Sequence, residues 1–366
     1  MKLCGPAKNT REKITQHAEY AEVRREIEQR GEETERKNKA ETPRAGRGRR
    51  RTPEIRREEN NVEKRWREGV ALLITSMSLA LSADTMCGLS ADAQEKLPTA
   101  RDVVAAIQEH VGVPWKTETV DTFKAGNPEM RVTGIAVTMM ATLDVLQRAA
   151  ARGENLVITH EPTFYNHLDR PEGMEGSDAV WKEKREFIEK NGMVVWRFHD
   201  HWHLRNPDGI LAGMVKALGW ENYQGAENPH LFTVPEITLG KLAAEVAKRL
   251  DTPVVRAVGN PEMKITKLAF SPGAAGFQRE AHALEMENVE VLLVGETREW
   301  ETVEYAADAA TEGRKKGLIV IGHVPSEQAG MEECARWLKT FVKEVPIEFV
   351  ATKQPFWTPA GRSAQH

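Results

Sequence analysis

Three short apolar runs in this chain end in side chains that bind metal ions. Leu156-Val157-Ile158 leads into Thr159-His160-Glu161-Pro162, and Val194-Val195-Trp196 leads to His199-Asp200-His201-Trp202-His203. Leu318-Ile319-Val320-Ile321 runs into Gly322-His323, with Glu327 four residues further on. Five of the eleven histidines fall at these three ends, and it is this co-occurrence, more than any single imidazole, that points to a metal site. Nitrogen and oxygen donors without thiolate suit zinc, iron, manganese or nickel. Two carboxylates with several imidazoles are enough for two divalent ions, which can activate water against an ester, amide or phosphate.

The local geometry supports convergence. His160 and Glu161 are adjacent, so on a regular strand they would face opposite ways. Pro162 ends the strand, and in the resulting turn both can reach one centre. His323 and Glu327 lie four apart across a strand-to-helix turn that contains Pro325. The helix dipole alone would favour Glu327 there, which is its purely structural reading. His199, His201 and His203 alternate, so on an extended segment they would share a face opposite Asp200 and Trp202. Asp200 and His201 are the candidates for catalytic base or for the partner that orients a ligand.

The elements that must position these groups alternate between strand and helix. Strands are expected at 131–138, 156–158 and 193–196, with helices over 143–151, 178–190 and 208–218. After a break at 223–228 a second series follows, with strands at 230–234, 254–258, 265–270, 289–294, 318–321 and 347–350. Its longest helices are expected at 239–250 and 327–341, and 271–276 reads as a tight turn. A short continuous apolar run marks a strand buried on both faces, and open α/β sheets gather ligands past the carboxyl ends of such strands. The pattern predicts an α/β protein of two lobes, 100–222 and 223–358, with mostly parallel or mixed sheets flanked by helices and the metal site between them.

These motifs resemble a known family, the dinuclear-metal-centre proteins called GTP cyclohydrolase 1 type 2 homologues or Ngg-interacting-factor-three-like proteins. The resemblance covers roughly 106–356. It rests on Thr159-His160-Glu161-Pro162 in place of a Thr-His-His-Pro signature, and on Gly322-His323 to Glu327, followed by Gly330. Ser271-Pro272-Gly273 and Gly295-Glu296 match in order and spacing. It implies two metal ions (zinc, iron or manganese) at the centre of two α/β lobes, in a toroidal homohexamer. It also implies the ligand set His160, Glu161, His203, His323 and Glu327. Glu161 stands where the family has a second histidine, and His203 where it has an aspartate, so one imidazole and one carboxylate change places. Trp300 stands where the family often has a histidine after Gly-Glu.

Composition bounds the rest. Of 51 Lys and Arg and 55 Asp and Glu, residues 1–68 hold 20 and 14, so a basic front precedes an acidic remainder. Arg47, Arg49, Arg50 and Arg51 within that front read as a solvated, disordered tail or as a patch for nucleic acid or a membrane surface. The acidic remainder argues against nucleic acid as substrate. Within residues 69–92, the apolar stretch from Val70 to Ala83 follows Lys64-Arg65-Trp66-Arg67 and exits at Ser82-Ala83-Asp84, so the region reads as a signal peptide of an exported protein or as an ordinary amphipathic helix. The run is too short for a stable membrane span. Cys4, Cys87 and Cys334 form no paired motif. Three readings remain: a metal-dependent hydrolase of a small molecule, a non-catalytic metal-binding or metal-delivery protein, and a structural oligomer whose metals lock the lobes together. An open pocket beside the metal separates the first two, because a storage site can be closed.

Overall fold

The computed structural model describes residues 97–357 and 359, leaving out 171, 172, 175 and 176. The basic front, the apolar segment at 69–92, Cys4 and Cys87 lie outside the described residues. Among the described residues no helix is long and apolar enough to cross a membrane.

Two five-stranded sheets carry the fold. In the first, β2 (Ile135–Thr138), β3 (Leu156–Thr159) and β4 (Val194–Arg197) are buried along their whole length and run parallel. Thr138, Thr159 and Arg197 are paired across the sheet, so the three strands end level with one another. The antiparallel β1 (Phe123–Ala125) closes one edge. The second sheet repeats the device: β7 (Lys264–Ser271), β8 (Val291–Val294) and β9 (Gly317–Val320) are parallel, with Ser271, Val294 and Val320 aligned at their ends. Antiparallel β5 (Leu231–Thr238) and β6 (Arg256–Val258) form its two edges.

Several helices begin where the sequence supplies caps. Thr142 Oγ1 accepts the Val145 amide at the start of α2 (Leu143–Ala150), which follows α1 (Ala100–His110) in the chain. Asp178 caps α3 (Ala179–Lys190) in the same way. Between α3 and the second sheet come α4 (Asp200–Leu204) and α5 (Gly209–Leu218). Asp208 caps α5, which stops at Gly219 with φ of +63°, a left-handed conformation that glycine adopts without a Cβ penalty. The second lobe adds α6 (Leu239–Arg249), α7 (Phe277–Glu285), α8 (Glu304–Thr311) and α9 (His323–Leu338).

Three details depart from the sequence reading. The segment at 199–203 is a helical turn instead of an extended run. The Asp121 carboxylate accepts the amides of His199, Asp200 and His201 and so supplies the helix-starting acceptors from 78–80 residues away. The long helix α9 starts at His323, four residues before the expected 327. The last strand, β10 (Ile347–Phe349), expected in the lobe 223–358, pairs in parallel with β2 of the first sheet. After α9 the chain has already returned to that sheet, and Ile347 is buried there.

Helix α9 therefore links the two sheets, and its crossing with α5 is close. A Cβ on Gly213 would lie 2.4 Å from the Ala329 carbonyl oxygen, and one on Gly330 would lie 2.4 Å from Ile210 Cα. Trp202 Nε1 donates to the Gly330 carbonyl at 3.2 Å at the same crossing. One apolar core runs through it, from Ile158 and Trp196 by way of Trp202, Met214 and Met331 to Phe270 and Ile319. This crossing fixes how far the carboxyl edge of one sheet lies from that of the other.

Candidate metal centre

The first sheet delivers its groups directly past β3 and β4. His160 is fully buried, and its Nδ1 is 3.1 Å from the Phe198 carbonyl oxygen. Bonding to a carbonyl requires a proton on Nδ1, which leaves the lone pair on Nε2. That Nε2 is buried and has no hydrogen-bond partner among the described residues, although Glu327 Oε2 lies 3.7 Å away. Arg197, at the end of β4, braces the turn after β3 by donating to the carbonyls of His160 and His167 at 2.9 and 2.6 Å. Its third contact is Glu161 Oε2, at 3.3 Å.

The helical turn α4 sorts the three alternating histidines. On a helix, residues four apart share a face and residues two apart do not. His199 and His203 accordingly point together toward His160, with ring centroids 4.5 and 5.0 Å from it. Each has its Nδ1 tied outward, His199 to Asp200 Oδ1 at 2.8 Å and His203 to Asp208 Oδ2 at 2.9 Å. Their Nε2 atoms face carboxylates, His199 toward Glu161 Oε1 at 3.6 Å and His203 toward Glu327 Oε1 at 3.9 Å.

His201 goes the other way. It is fully buried, its Nδ1 is 2.7 Å from Asp121 Oδ2, its Nε2 accepts the Lys116 amide at 2.9 Å, and its ring stacks on Trp115. Both nitrogens are used, so the expectation of a catalytic role for His201 is corrected: it fastens α4 to the 115–121 segment. Asp200, the other candidate base, has its second oxygen occupied by the Thr119 hydroxyl and the Val120 amide. The His199 hydrogen bond, then those from Thr119 and Val120, hold its carboxyl well below the usual range against the opposing effect of burial. Asp200 orients His199 and has no free oxygen with which to act as a base.

The second sheet supplies His323 and Glu327 from the first turns of α9. His323 Nε2 lies 3.1 Å from Glu327 Oε2 and 3.4 Å from Glu161 Oε1, while its Nδ1 faces Glu296 Oε1 at 3.5 Å. The turn after β7 presses on them from below. Gly273 has φ of +69°, and a Cβ there would sit 2.4 Å from Glu327 Oε1. Its amide donates to Ser326 Oγ at 2.9 Å.

The result is four imidazoles and two carboxylates around one space. Ligand atoms of His160, His199 and His203 lie within 4.8 Å of one another, as do those of His160, Glu161 and Glu327. His160, Glu161, His203, His323 and Glu327 are thus brought together, and His199 joins them. An extended strand would put His199 and His201 on one face; the signal that separates them is the four-residue spacing of His199 from His203.

Charge in this space is arranged for a cation. Burial, with the neighbouring His199 and His203, pushes the His160 imidazole well below its ordinary value and keeps it neutral, as a ligand must be. Burial opposes ionisation of Glu161, yet hydrogen bonding and charge from His323, with His199 and Arg197, hold its carboxyl low. His323 is raised in return by Glu161, Glu296 and Glu327, although burial acts against it. An orphaned buried nitrogen, four inward-facing Nε2 positions and two buried carboxylates fit a divalent ion or a pair of them. The tie on each Nδ1 is the outer-shell partner that fixes ring and tautomer in metal-binding histidines.

A protein from Chlamydia trachomatis described as a GTP cyclohydrolase 1 type 2 homolog is 21% identical over 240 residues, covering 64% of this chain and 89% of that protein. A homolog of the same description from Chlamydia muridarum is 23% identical over 242 residues, with the same coverage. Among solved structures, a Bacillus cereus protein related to NIF3 superposes with a TM-score of 0.59 at 14% identity, over 72% of this chain and all of that one. A hypothetical protein from Staphylococcus aureus superposes at 0.57 and 18% identity, over 72% of this chain and all of that one. Reduced HcgD from Methanocaldococcus jannaschii does so at 0.51 and 14%, over 69% and 98%. The model of the Duf34/NIF3 (NGG1p interacting factor 3) family matches residues 99–355, more than half of the chain, and the protein belongs to that family.

Proposed function

We propose that this protein is a divalent-metal-dependent hydrolase of a small molecule, with a dinuclear centre held by His160, Glu161, His199, His203, His323 and Glu327. When bound, a metal pair supplies a nucleophile at neutral pH and Lewis-acid polarisation of the scissile group. The chain's own residues do the rest. Phe198, Asp200, Asp208 and Glu296 aim the four imidazoles, and Arg197 fixes the turn that carries Glu161.

The observation that carries the enzymatic reading is a cleft of about 370 Å³ that opens on Glu161, His323 and Glu296 and continues past Tyr165, His167 and Lys184. Its size is that of a small-molecule site, and a site built only to store an ion has no need of one. A homohexameric ring and export through the segment at 69–92 belong to the same proposal and rest on the resemblance and the sequence pattern alone.

The test is metal content by plasma mass spectrometry on the wild type and a His160→Ala/His323→Ala double variant, beside a phosphoester and amide hydrolysis screen. About two ions per chain, lost with activity in the variant, is the expected result. Full metal occupancy with no turnover in either class would favour metal delivery. Absence of metal after repletion with zinc, iron and manganese would remove the proposal.

A further inference from the structure

The lining of the cleft includes a buried cation. Lys184 lies on the inner face of α3, beside Trp181 and Ile188, and is only 4% exposed. Its ammonium donates to the Thr163 carbonyl oxygen and stands 5.0 Å from the centre of the Tyr165 ring and 5.9 Å from that of Phe164. An ammonium has three protons to donate, and one carbonyl takes one of them. A neutral donor would satisfy the same carbonyl without burying a charge, which is costly unless the charge is paired.

The turn that presents this group is held in an unusual shape. Tyr165 has φ of +69° and Asp169 φ of +56°, a region that residues with a Cβ seldom enter. The Asp169 carboxylate accepts the amides of Thr163 and Phe164 at 2.6 and 2.7 Å, and Arg197 holds the His167 carbonyl. Strained backbone of this kind persists where surrounding contacts enforce it, and it concentrates at ligand sites. Here it places the 57%-exposed Tyr165 ring beside the lysine in the lining of the cleft.

We propose that Lys184 is a specificity-determining residue, which binds an anionic group, phosphate or carboxylate, of a substrate whose reacting bond lies at Glu161 and His323. The inference rests on the hydrolase reading and adds a substrate class to it. Lys184 is the one lysine or arginine lining the cleft among the described residues, whereas Glu161 and Glu296 line the metal end. An acidic small molecule would therefore be oriented with its anion on the ammonium and its reacting group toward the metal end. Burial lowers the Lys184 ammonium to about 8, against the pull of Asp169, so it remains largely charged at neutral pH.

The test uses the full-length, metal-replete protein with Lys184→Gln, which keeps a donor for the Thr163 carbonyl, and Lys184→Met, which keeps only the apolar stem. Inorganic phosphate and acetate are titrated separately by calorimetry, and metal content and melting temperature are read on the same samples. The expected result is at least a tenfold loss of affinity for one of the two anions in both variants, with metal content unchanged. The anion affected identifies the substrate's charged group. Wild-type affinity in both variants, or no binding of either anion to the wild type, overturns the proposal. Loss of metal and of melting temperature in Lys184→Met that Lys184→Gln restores together with anion affinity also overturns it, since Lys184 would then be a structural tie. A wild type without metal removes the hydrolase reading, and a Lys184-dependent anion affinity would still be measurable beside that failure.

Discussion

The two sheets meet the candidate metal centre with the same device and different supports. On both sides the ligands stand just past the level ends of parallel strands. The first sheet holds its ligands through ties that are distant in sequence: Asp121 caps the turn carrying His199 and His203, and Arg197 grips the turn carrying His160 and Glu161. The second sheet holds His323 and Glu327 one helical turn apart at the start of α9, pressed by the Gly273 turn. One side is assembled by buried polar contacts across the fold, the other by a local helical repeat. Damage on the first side should therefore appear as lost stability and lost metal together. On the second side the two sides' separation is the sensitive quantity.

The largest effect is expected at Asp121. Replacing it with alanine leaves the amides of His199, Asp200 and His201 without their acceptor. Each buried unsatisfied group costs about 1–3 kcal/mol, so the loss should reach roughly 3 kcal/mol or more in urea unfolding, with metal content falling in parallel. A stable variant with full metal would show that α4 holds itself. Next comes Gly330→Val at the crossing of α5 and α9. Overpacking there should cost about 1–3 kcal/mol and reduce metal retention by moving Glu327 away from His160. Unchanged metal content in a destabilised Gly330→Val protein would separate the crossing from the centre.

The comparison is sharpened within α4 itself. His199→Ala should lower metal affinity by more than about tenfold with little change in the unfolding midpoint, as for loss of a ligand or its partner. His201→Ala should do the reverse, destabilising the fold by about 2 kcal/mol by leaving the Lys116 amide without its acceptor and Asp121 without the imidazole, while folded protein keeps its metal. Equal metal loss in both would contradict the division of faces. The smallest effect is expected from Asp208→Asn, because asparagine still caps α5. It should weaken metal retention by no more than about tenfold, the low end for loss of an outer-shell partner, through a misdirected His203, and leave the melting curve nearly unchanged.

How much of this could be read in advance follows from the range of the interactions involved. The buried strands at 156–159, 194–197 and 317–320 were visible because a strand covered on both faces needs a continuous apolar run, a purely local property. The pairing of His323 with Glu327 was visible as a four-residue spacing past the strand, although the helix that carries both starts at His323 and not at 327. The shape of 199–203 was not. Alternating histidines match a strand by pattern, and the carboxylate that makes the segment helical, Asp121, is some eighty residues upstream. Once the segment is helical, the assignments change: His199 turns inward, His201 turns away, and Asp200 becomes a tether.

By itself, the sequence determined the α/β class, the strand ends and the set of residue types gathered there, since burial and ligand chemistry are written in composition and spacing. Only the tertiary structure decided which histidines share a centre, that β10 returns to the first sheet, and that Lys184 lines the cleft. Those outcomes depend on contacts between residues tens to hundreds of positions apart. No local pattern encodes such contacts, because the groups that make them acquire their partners only when the two sheets are packed on one core.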